Sequence, residues 1–251
     1  IYVNPTQFGA GEDFERYPRD MKRDSRMAES VGVDVIFCPT DSDIYPAQYQ
    51  TFVNVEEVTQ NLCGLSRPGH FRGVATICCK LFHIVKPHKA IFGKKDFQQL
   101  VVIRRMAEDL NMDIEIIGMS TVREADGLAM SSRNAYLKED ERTAALSLSR
   151  SLLLAQKLFD DGQRNAAEIL KAVTEKLEGN PLLRLEYAKI CGAKTLSDLQ
   201  IIEKEAVLAL AAHVGKTRLI DNYVFGETLE ICNRSQGSGV GGQGLAIRES
   251  Q

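Results

Sequence analysis

Residues 90–118 decide the fold class of this chain, and they read AIFGKKDFQQLVVIRRMAEDLNMDIEIIG. Residues 90–92 and 114–118 are short apolar runs typical of strands, and residues 97–110 between them repeat apolar side chains at helical spacing. A strand, a helix and a strand with short connections are typical of a right-handed βαβ unit on a parallel sheet. We therefore predict an α/β fold with a doubly wound, Rossmann-like parallel sheet.

The residues upstream of this unit add elements of the same kind. Residues 1–3 and 33–37 are apolar runs, and we expect both to form strands, the second of them buried. The cap residue Asp20 and the exit residue Gly32 predict a helix at about residues 20–30, and apolar residues at helical spacing that end before Pro87 predict another at 74–85. Together these elements predict a Rossmann-like domain over residues 1–120.

Further along the chain, long helical patterns are followed by longer extended segments. Periodicity and glycine stops predict two helices, at about residues 138–160 and 165–178. Three extended pieces follow, at residues 183–190, 206–214 and 217–225. We expect these elements to form a smaller α/β domain over residues 121–227.

Residues 228–251 are rich in glycine, and we predict that they form a flexible tail. The tail contains a formal G-x-G-x-x-G at Gly237, Gly239 and Gly242. A dinucleotide site needs a strand before this motif, a helix after it and an acidic residue about 20 positions further on. Only nine residues follow Gly242, so we interpret the match as accidental.

The composition is that of an ordinary globular protein, and it argues against several functional classes. The 251 residues are 44% hydrophobic and 26% charged, with a formal net charge of −3, which disfavours a protein that coats nucleic acid or an anionic membrane. No apolar run reaches the ~20 residues of a membrane helix. The six cysteines and four histidines show no metal-ligand spacing. We predict no metal site built from protein ligands, and reduced thiols in the cytoplasm.

Residues 58–95 contain no carboxylate, although the whole chain is acidic. The same stretch holds seven lysines and arginines and three histidines. Such segregation indicates a local positive field, which suits a phosphate or carboxylate ligand. A solvated helix face with basic loops would give the same pattern, and the charge run alone fits that interpretation better.

Residues 93–96, Gly-Lys-Lys-Asp, favour an anion site in this basic stretch. They lie where a predicted strand ends and a predicted helix begins, which is the edge at which α/β proteins bind ligands. Gly93 allows the backbone to approach a ligand closely, Asp96 fits the helix N-cap, and the two lysines add positive charge. Without other support, a capped helix with exposed lysines explains the segment equally well.

A second candidate segment is residues 130–133, Met-Ser-Ser-Arg. Two hydroxyls beside an arginine suit a phosphate, because serine donates short hydrogen bonds and arginine gives a bidentate charged clamp. Gln7 and Gln99 are further candidates, since a carboxamide both donates and accepts. His70 is most simply a loop histidine that makes a structural hydrogen bond. The residues alone thus support an α/β domain with an anion site at a domain joint.

Four segments of the chain resemble the pantoate–β-alanine ligase family. They are residues 3–8 (VNPTQF), 67–74 (RPGHFRGV), 92–100 (FGKKDFQQL) and 121–134 (TVREADGLAMSSRN). The segments occur in the family's order and spacing, and the similarity extends from the first residue to about residue 225. The resemblance implies a nucleotidyltransferase-type Rossmann domain, a small C-terminal lid domain and a homodimer.

The resemblance also implies a reaction in two steps, with ATP as a substrate and Mg²⁺. The pantoate carboxylate attacks the α-phosphate of ATP to give pantoyl adenylate and pyrophosphate, and the amine of β-alanine then displaces AMP to give pantothenate. Lys95 and Arg133 would be the catalytic residues. Gln7 and Gln99 would bind pantoate, and Gln7 would also lie near β-alanine. ATP would be bound by Gly93, Lys94, Lys95, Asp96, Val122, Met130, Ser131, Ser132 and Arg133.

The chain departs from the family pattern in two places. The family has a Met-Gly-x-x-His-x-Gly-His type motif, whose histidines bind the ATP phosphates, upstream of the segment that corresponds to residues 3–8. This motif is not in the chain, and none of the four histidines stands in its context. Because the corresponding strand is central in the family's sheet, we expect the natural protein to have more residues at its front. The second departure is the tail after Glu227, which does not match.

Other functions stay open on the sequence. One alternative is another adenylate-forming enzyme, which a test of pantoate dependence would separate from the ligase. Another is a non-catalytic, truncated homologue that binds pantoate or a partner without releasing AMP. A scaffold for nucleic acid fits least well, because the second domain and the tail are not basic.

Overall fold

The predicted βαβ unit is present in the computed structural model, which describes residues 1–9, 11–203 and 205–229. In chain order the helices and strands are α1 (Met21–Ser30), α2 (Asp41–Ile44), α3 (Cys63–Ser66), α4 (His70–Val85), β1 (Lys89–Gly93), α5 (Phe97–Asp109), β2 (Glu115–Met119), α6 (Glu139–Asp160), α7 (Ala166–Glu178), β3 (Leu183–Gly192), β4 (Ala206–Val214) and β5 (Thr217–Val224).

Strands β1 and β2 pair in parallel, with Lys89 opposite Glu115 at one end and Gly93 opposite Met119 at the other. Helix α5 connects them and buries its apolar face in the core. Because parallel strands end at the same edge of a sheet, the segments that follow β1 and β2 start side by side. The α/β prediction is confirmed, and the 3₁₀ turn Lys94–Asp96 lies at this edge.

The predicted strands at residues 1–3 and 33–37 are not formed. The backbone nitrogen of Ile1 donates to the carbonyl of Phe37, but no ladder joins the two segments. The run at 33–37 is also exposed rather than buried, with Val35 81% accessible. A run of apolar residues becomes a strand only when a neighbour supplies its backbone hydrogen bonds, and no described segment does so here.

Helix caps explain the start of two further helices. The carboxylate of Asp20 accepts from the backbone N–H of Arg23 at 3.0 Å and begins α1, as predicted. Helix α4 begins at His70, four residues before the predicted start, because Gly69 takes a left-handed conformation with φ of 81° that reverses the chain. His70 therefore lies in the first turn of a helix and not in a loop.

Helices α6 and α7 pack on one face of a three-stranded antiparallel sheet with the order β3–β4–β5. All the predicted elements of this region are present. The opposite face of the sheet packs on the first unit, since Val207 and Ala209 of β4 share a buried cluster with Val101 and Ile103 of α5. This shared core fixes β5 beside the turn that follows β1. The division of the chain at residue 120 stays a prediction.

Residues 230–251 lie outside the described part of the chain, and so does the glycine motif at 237–242 that we interpret as accidental. The predicted flexible tail is therefore represented only by Thr228 and Leu229. Among the helices of the described ranges, none has the length and apolar character needed to cross a membrane.

Candidate active site

A cleft between the two units brings together residues from several of the predicted site segments. Lys95, Asp96 and Gln99 reach it from the start of α5, and Ser131 and Arg133 from the segment before α6. The remaining polar lining includes Cys63, Arg67, His70, Gln98, Tyr187, Arg218, Asp221 and Asn222. The cleft thus combines several cations with amide and hydroxyl groups, which suits an anionic ligand.

The turn after β1 separates its two lysines. Lys94 Nζ forms an ion pair with Glu227 Oε1 at 2.6 Å and lines a neighbouring groove beside Thr121 and Arg123. Lys95 is half-buried in the cleft, and its amine makes no hydrogen bond or ion pair to any residue of the described ranges. Of the two predicted cations, Lys95 is the one in position to meet a ligand in this cleft.

Asp96 occupies the N-cap position of α5, but its carboxylate makes no capping hydrogen bond. The predicted capping role is therefore wrong, although the predicted position is right. The carboxylate is exposed and lines the cleft beside Lys95. Gly93, at the end of β1, is extended with φ of −73°, and a Cβ at this position would meet no other atom within 4 Å.

Arg133 is held by a partner that the sequence did not reveal. Its Nε and Nη2 donate to the two carboxylate oxygens of Asp13, at 2.8 Å and 2.7 Å. This pair lowers the pKa of Asp13 and raises that of Arg133. The Nη1 group has no hydrogen bond to the described residues, so the pair orients the guanidinium and leaves one edge for a ligand.

The rest of the segment before α6 is more open. Met130 and Val122 are 55% and 63% exposed, and the N–H of Met130 donates to the carbonyl of Val122 at 2.9 Å. Ser132 is exposed as well, whereas Ser131 is half-buried and accepts from the N–H of Arg133 at 3.3 Å. Ser131 and Arg133 thus lie in the cleft, and Val122, Met130 and Ser132 are not among its lining residues.

Gln7 lies in an adjoining groove that shares Arg67 and His70 with the cleft. The backbone carbonyl of Gln7 contacts His70 Nδ1 at 2.7 Å and accepts from Arg67 Nη2 at 3.3 Å. Arg67 in turn forms a bidentate ion pair with Glu12. The structure therefore places Gln7 in the groove and Gln99 in the cleft. The side chains of Arg67 and His70 line both.

Gly73 of α4 allows the turn that carries Gln7 to pack closely. A Cβ at position 73 would lie 2.3 Å from the carbonyl oxygen of Thr6 and 2.8 Å from the backbone N of Gln7. We expect Gly73→Ala to displace this turn and to lower the free energy of unfolding by about 1–3 kcal/mol, measured by urea denaturation. Gly179→Ala, which meets only ordinary contacts, is the matched control. Equal stability of the two variants would contradict the expectation.

His70 makes stability depend on pH. Burial, together with the neighbouring Arg67 charge, lowers the pKa of His70 from 6.5 to about 4. Between pH 6.5 and pH 4, His70 is protonated in the unfolded chain but neutral in the folded chain. The stability that neutral His70 contributes is therefore fully present above pH 6.5 and is lost as the pH falls through 4.

We expect His70→Gln to flatten the pH dependence of the unfolding free energy, measured in urea between pH 7.5 and 4.5. His83→Gln, at an exposed position, serves as the control. A constant stability difference between wild type and His70→Gln over this range would contradict the assignment.

Three contacts at the border of the cleft could not be predicted from the sequence, because their partners are distant in the chain. Arg218 forms a bidentate pair with Glu186, at 2.8 Å and 2.9 Å, and contacts Cys63 Sγ at 3.4 Å. Asp221 of β5 accepts a hydrogen bond from Arg123, and Asn222 donates one to the backbone of the turn after β1. The one available signal was the pair of adjacent polar residues at 221–222 inside a predicted strand, which puts a polar group on each face.

Comparison with known proteins gives a consistent result. The family model described as pantoate-beta-alanine ligase matches residues 1–224. Pantothenate synthetase of Syntrophus aciditrophicus is 64% identical over 231 residues, covering 92% of this chain and 81% of the relative. Pantothenate synthetase of Geobacter sulfurreducens is 57% identical over 227 residues, covering 90% of this chain and 80% of the relative.

Solved structures are similar over the same span. Pantothenate synthetase from Thermus thermophilus has a TM-score of 0.86 and 44% sequence identity, covering 89% of this chain and 81% of that one. Pantoate-beta-alanine ligase from Francisella tularensis, complexed with beta-gamma ATP and beta-alanine, has a TM-score of 0.73 and 30% identity, covering 92% of this chain and 79% of that one.

Proposed function

The chain belongs to the pantoate–β-alanine ligase family, and we propose that it condenses pantoate with β-alanine to form pantothenate, converting ATP to AMP and pyrophosphate. The observation that carries the proposal is the shared cleft, where Lys95, Gln99, Ser131 and Arg133 lie together although 38 positions separate the first and last of them. This arrangement supports a site for an anion of phosphate type beside an amide that can hold a carboxylate or hydroxyl.

In the first step, the carboxylate oxygen of pantoate forms a bond to the α-phosphorus of ATP. The bond between that phosphorus and the bridging oxygen breaks, and pyrophosphate leaves with the electron pair. Lys95 and the free edge of Arg133 would stabilise the negative charge that shifts onto the phosphate oxygens. Gln99 would orient pantoate, since its carboxamide donates and accepts.

In the second step, the amine nitrogen of β-alanine forms a bond to the carbonyl carbon of pantoyl adenylate. The bond from that carbon to the phosphate oxygen of AMP breaks, AMP leaves with the electron pair, and the amine nitrogen loses a proton to solvent. Gln7 is proposed to contact both pantoate and β-alanine. Its backbone is fixed by His70 and Arg67, which supports a defined orientation of the turn that carries it. Gly93, Lys94, Asp96, Val122, Met130 and Ser132 are proposed as further contacts to ATP.

Mg²⁺ is proposed to enter with ATP. Among the residues that the structure describes, no group of three or more histidines, cysteines and carboxylates could hold a metal ion without a ligand's help. Asp96 nevertheless fits such an ion, because its exposed carboxylate lines the cleft and magnesium is commonly held by one or two carboxylates together with substrate phosphates. When bound, Mg²⁺ would neutralise part of the phosphate charge.

A homodimer and a cytoplasmic location are proposed from the family resemblance. The exposed apolar residues Ile84 and Val85 at the end of α4, 50% and 56% accessible, support a contact surface. The free cysteines Cys38, Cys63, Cys78, Cys79 and Cys191 support a reducing compartment. Sedimentation velocity of the purified chain tests the dimer, and a single species of monomer mass would overturn it.

The function is tested by AMP release from the purified chain with ATP, Mg²⁺, pantoate and β-alanine, each omitted in turn. AMP formation that requires all four supports the ligase. AMP formation without pantoate would indicate another adenylate-forming enzyme. A folded chain that binds pantoate or ATP and releases no AMP would identify a binding protein and overturn the proposed activity.

A further inference from the structure

The side chain of Asn222 links β5 to the turn that carries Lys95. Its Nδ2 donates to the carbonyl oxygen of Lys94 at 2.9 Å and to that of Lys95 at 2.8 Å. Asn222 is only 7% exposed and also lines the cleft. One carboxamide therefore uses both of its N–H groups on two consecutive carbonyls of the 3₁₀ turn that precedes α5.

These two hydrogen bonds matter because little else in the structure fixes Lys95. Its amine has no partner among the described residues, so the side chain is placed by the backbone from which it extends. Lys94 differs, because its ion pair with Glu227 anchors it directly. An amide that fixes the Lys95 carbonyl thus limits where the Lys95 amine can lie in the cleft.

Asn222 is itself well anchored. Its backbone N–H donates to Asp221 Oδ1 at 2.9 Å, and Asp221 forms a buried bidentate pair with Arg123. Adjacent strand residues point to opposite faces, so Asp221 shares the face of Leu219 and Tyr223, which pack towards α6 and α7. The side chain of Asn222 lies on the other face, towards the turn that carries Lys94 and Lys95.

We propose that Asn222 is a positioning residue that aligns Lys95 with the phosphates of ATP through its hydrogen bonds to the Lys94 and Lys95 carbonyls. The inference rests on the proposed function of Lys95. It goes beyond that function because it assigns a role to a residue of the smaller, C-terminal unit. The position of β5 relative to α5 then governs how closely the Lys95 amine approaches the phosphates of ATP.

The test is a double-mutant cycle between Asn222 and Lys95. Asn222→Ala is expected to lower kcat/KM for ATP by about 10- to 100-fold, since a displacement of about 1 Å at a reacting site can cost 100-fold. In a Lys95→Ala background the same change is expected to cost less than about 2-fold, because a residue that acts through Lys95 has nothing left to position. Fully additive effects would overturn the proposal.

Two further variants separate positioning from folding. Asn222→Asp keeps the shape of the side chain but turns oxygen towards both carbonyls, and it is expected to be as impaired as Asn222→Ala. Asn180→Ala removes a half-buried amide that donates to Ser147 Oγ at 3.3 Å. Neither residue lines the cleft, so this variant is expected to keep wild-type kinetics. Circular dichroism melting confirms that each variant is folded at the assay temperature.

The outcomes separate this inference from the proposed function. If wild type is active and Lys95→Ala is impaired, but Asn222→Ala keeps wild-type kcat/KM, only the positioning role is overturned. If wild type releases no AMP, the cycle is measured on the equilibrium dissociation constant for Mg·ATP. Coupling there would support the positioning role even though the ligase activity had failed, and wild-type affinity in Asn222→Ala would overturn it.

Discussion

Lys95→Ala is expected to lower the single-turnover rate of pantoyl-adenylate formation by about 100- to 1,000-fold, which is the range for removing one group that stabilises charge in a transition state. Lys95 lies half-buried in the cleft with Gln99 and Arg133, and its amine forms no ion pair with any described residue. The affinity for pantoate is expected to change less than about 3-fold, because the proposed interaction strengthens as charge moves onto the phosphates.

The measurement is rapid-quench analysis of AMP and adenylate with enzyme in excess, together with pantoate binding by calorimetry. Lys176→Ala, an exposed lysine of α7, is the matched control and is expected to retain the wild-type rate. Equal single-turnover rates for wild type and Lys95→Ala would remove Lys95 from the catalytic residues. A loss confined to pantoate binding would assign it to substrate binding instead.

Asp221→Ala is expected to lower the free energy of unfolding by about 3–5 kcal/mol, the range for breaking a buried ion pair on one side. The side chains of Arg123 and Asp221 are only 6% and 2% exposed, and two hydrogen bonds of 2.7 Å and 3.0 Å join them. Removing the carboxylate leaves the buried guanidinium of Arg123 with one hydrogen bond to the described residues, from Nη1 to the carbonyl of Gly127 at 3.2 Å.

Denaturation of the purified variant in guanidinium chloride measures this loss of unfolding free energy. The double variant Arg123→Met with Asp221→Leu is expected to recover most of the loss, because it removes both charges and keeps apolar volume. Glu205→Ala, which breaks the exposed pair between Lys194 and Glu205, is the control and is expected to cost less than about 1 kcal/mol. A loss for Asp221→Ala no larger than that of the control would contradict the structural role assigned to the pair.

Sequence patterns predicted most of the local elements. The apolar periodicity of α5, α6 and α7 and the three strands of the second sheet appear in the structure within a few residues of the predicted bounds. Periodicity is a local property, so it can be read without knowing the fold. The run at 33–37 failed because a strand also requires a hydrogen-bonded neighbour, and its residues carry no information about that neighbour.

Asp96 shows the same limit at a single position. The sequence correctly predicted that it precedes α5, because aspartate before a helical pattern is a common start signal. Its carboxylate faces the cleft and makes no capping bond. The rotamer of an exposed side chain depends on its spatial neighbours, and this detail decides whether the carboxylate serves the helix or a ligand.

The sequence alone was enough to predict the α/β class, the order of the elements from α4 to β5, and the segments that carry Lys95, Gln99, Ser131 and Arg133. The three-dimensional fold determines which cation faces the cleft, because Lys94 pairs instead with Glu227, 133 positions later in the chain. It also supplied Asp13 for Arg133 and Asn222 for the Lys95 backbone, across 120 and 127 positions. Such pairs depend on how segments distant in the chain pack against each other, and a local pattern of residues does not specify that packing.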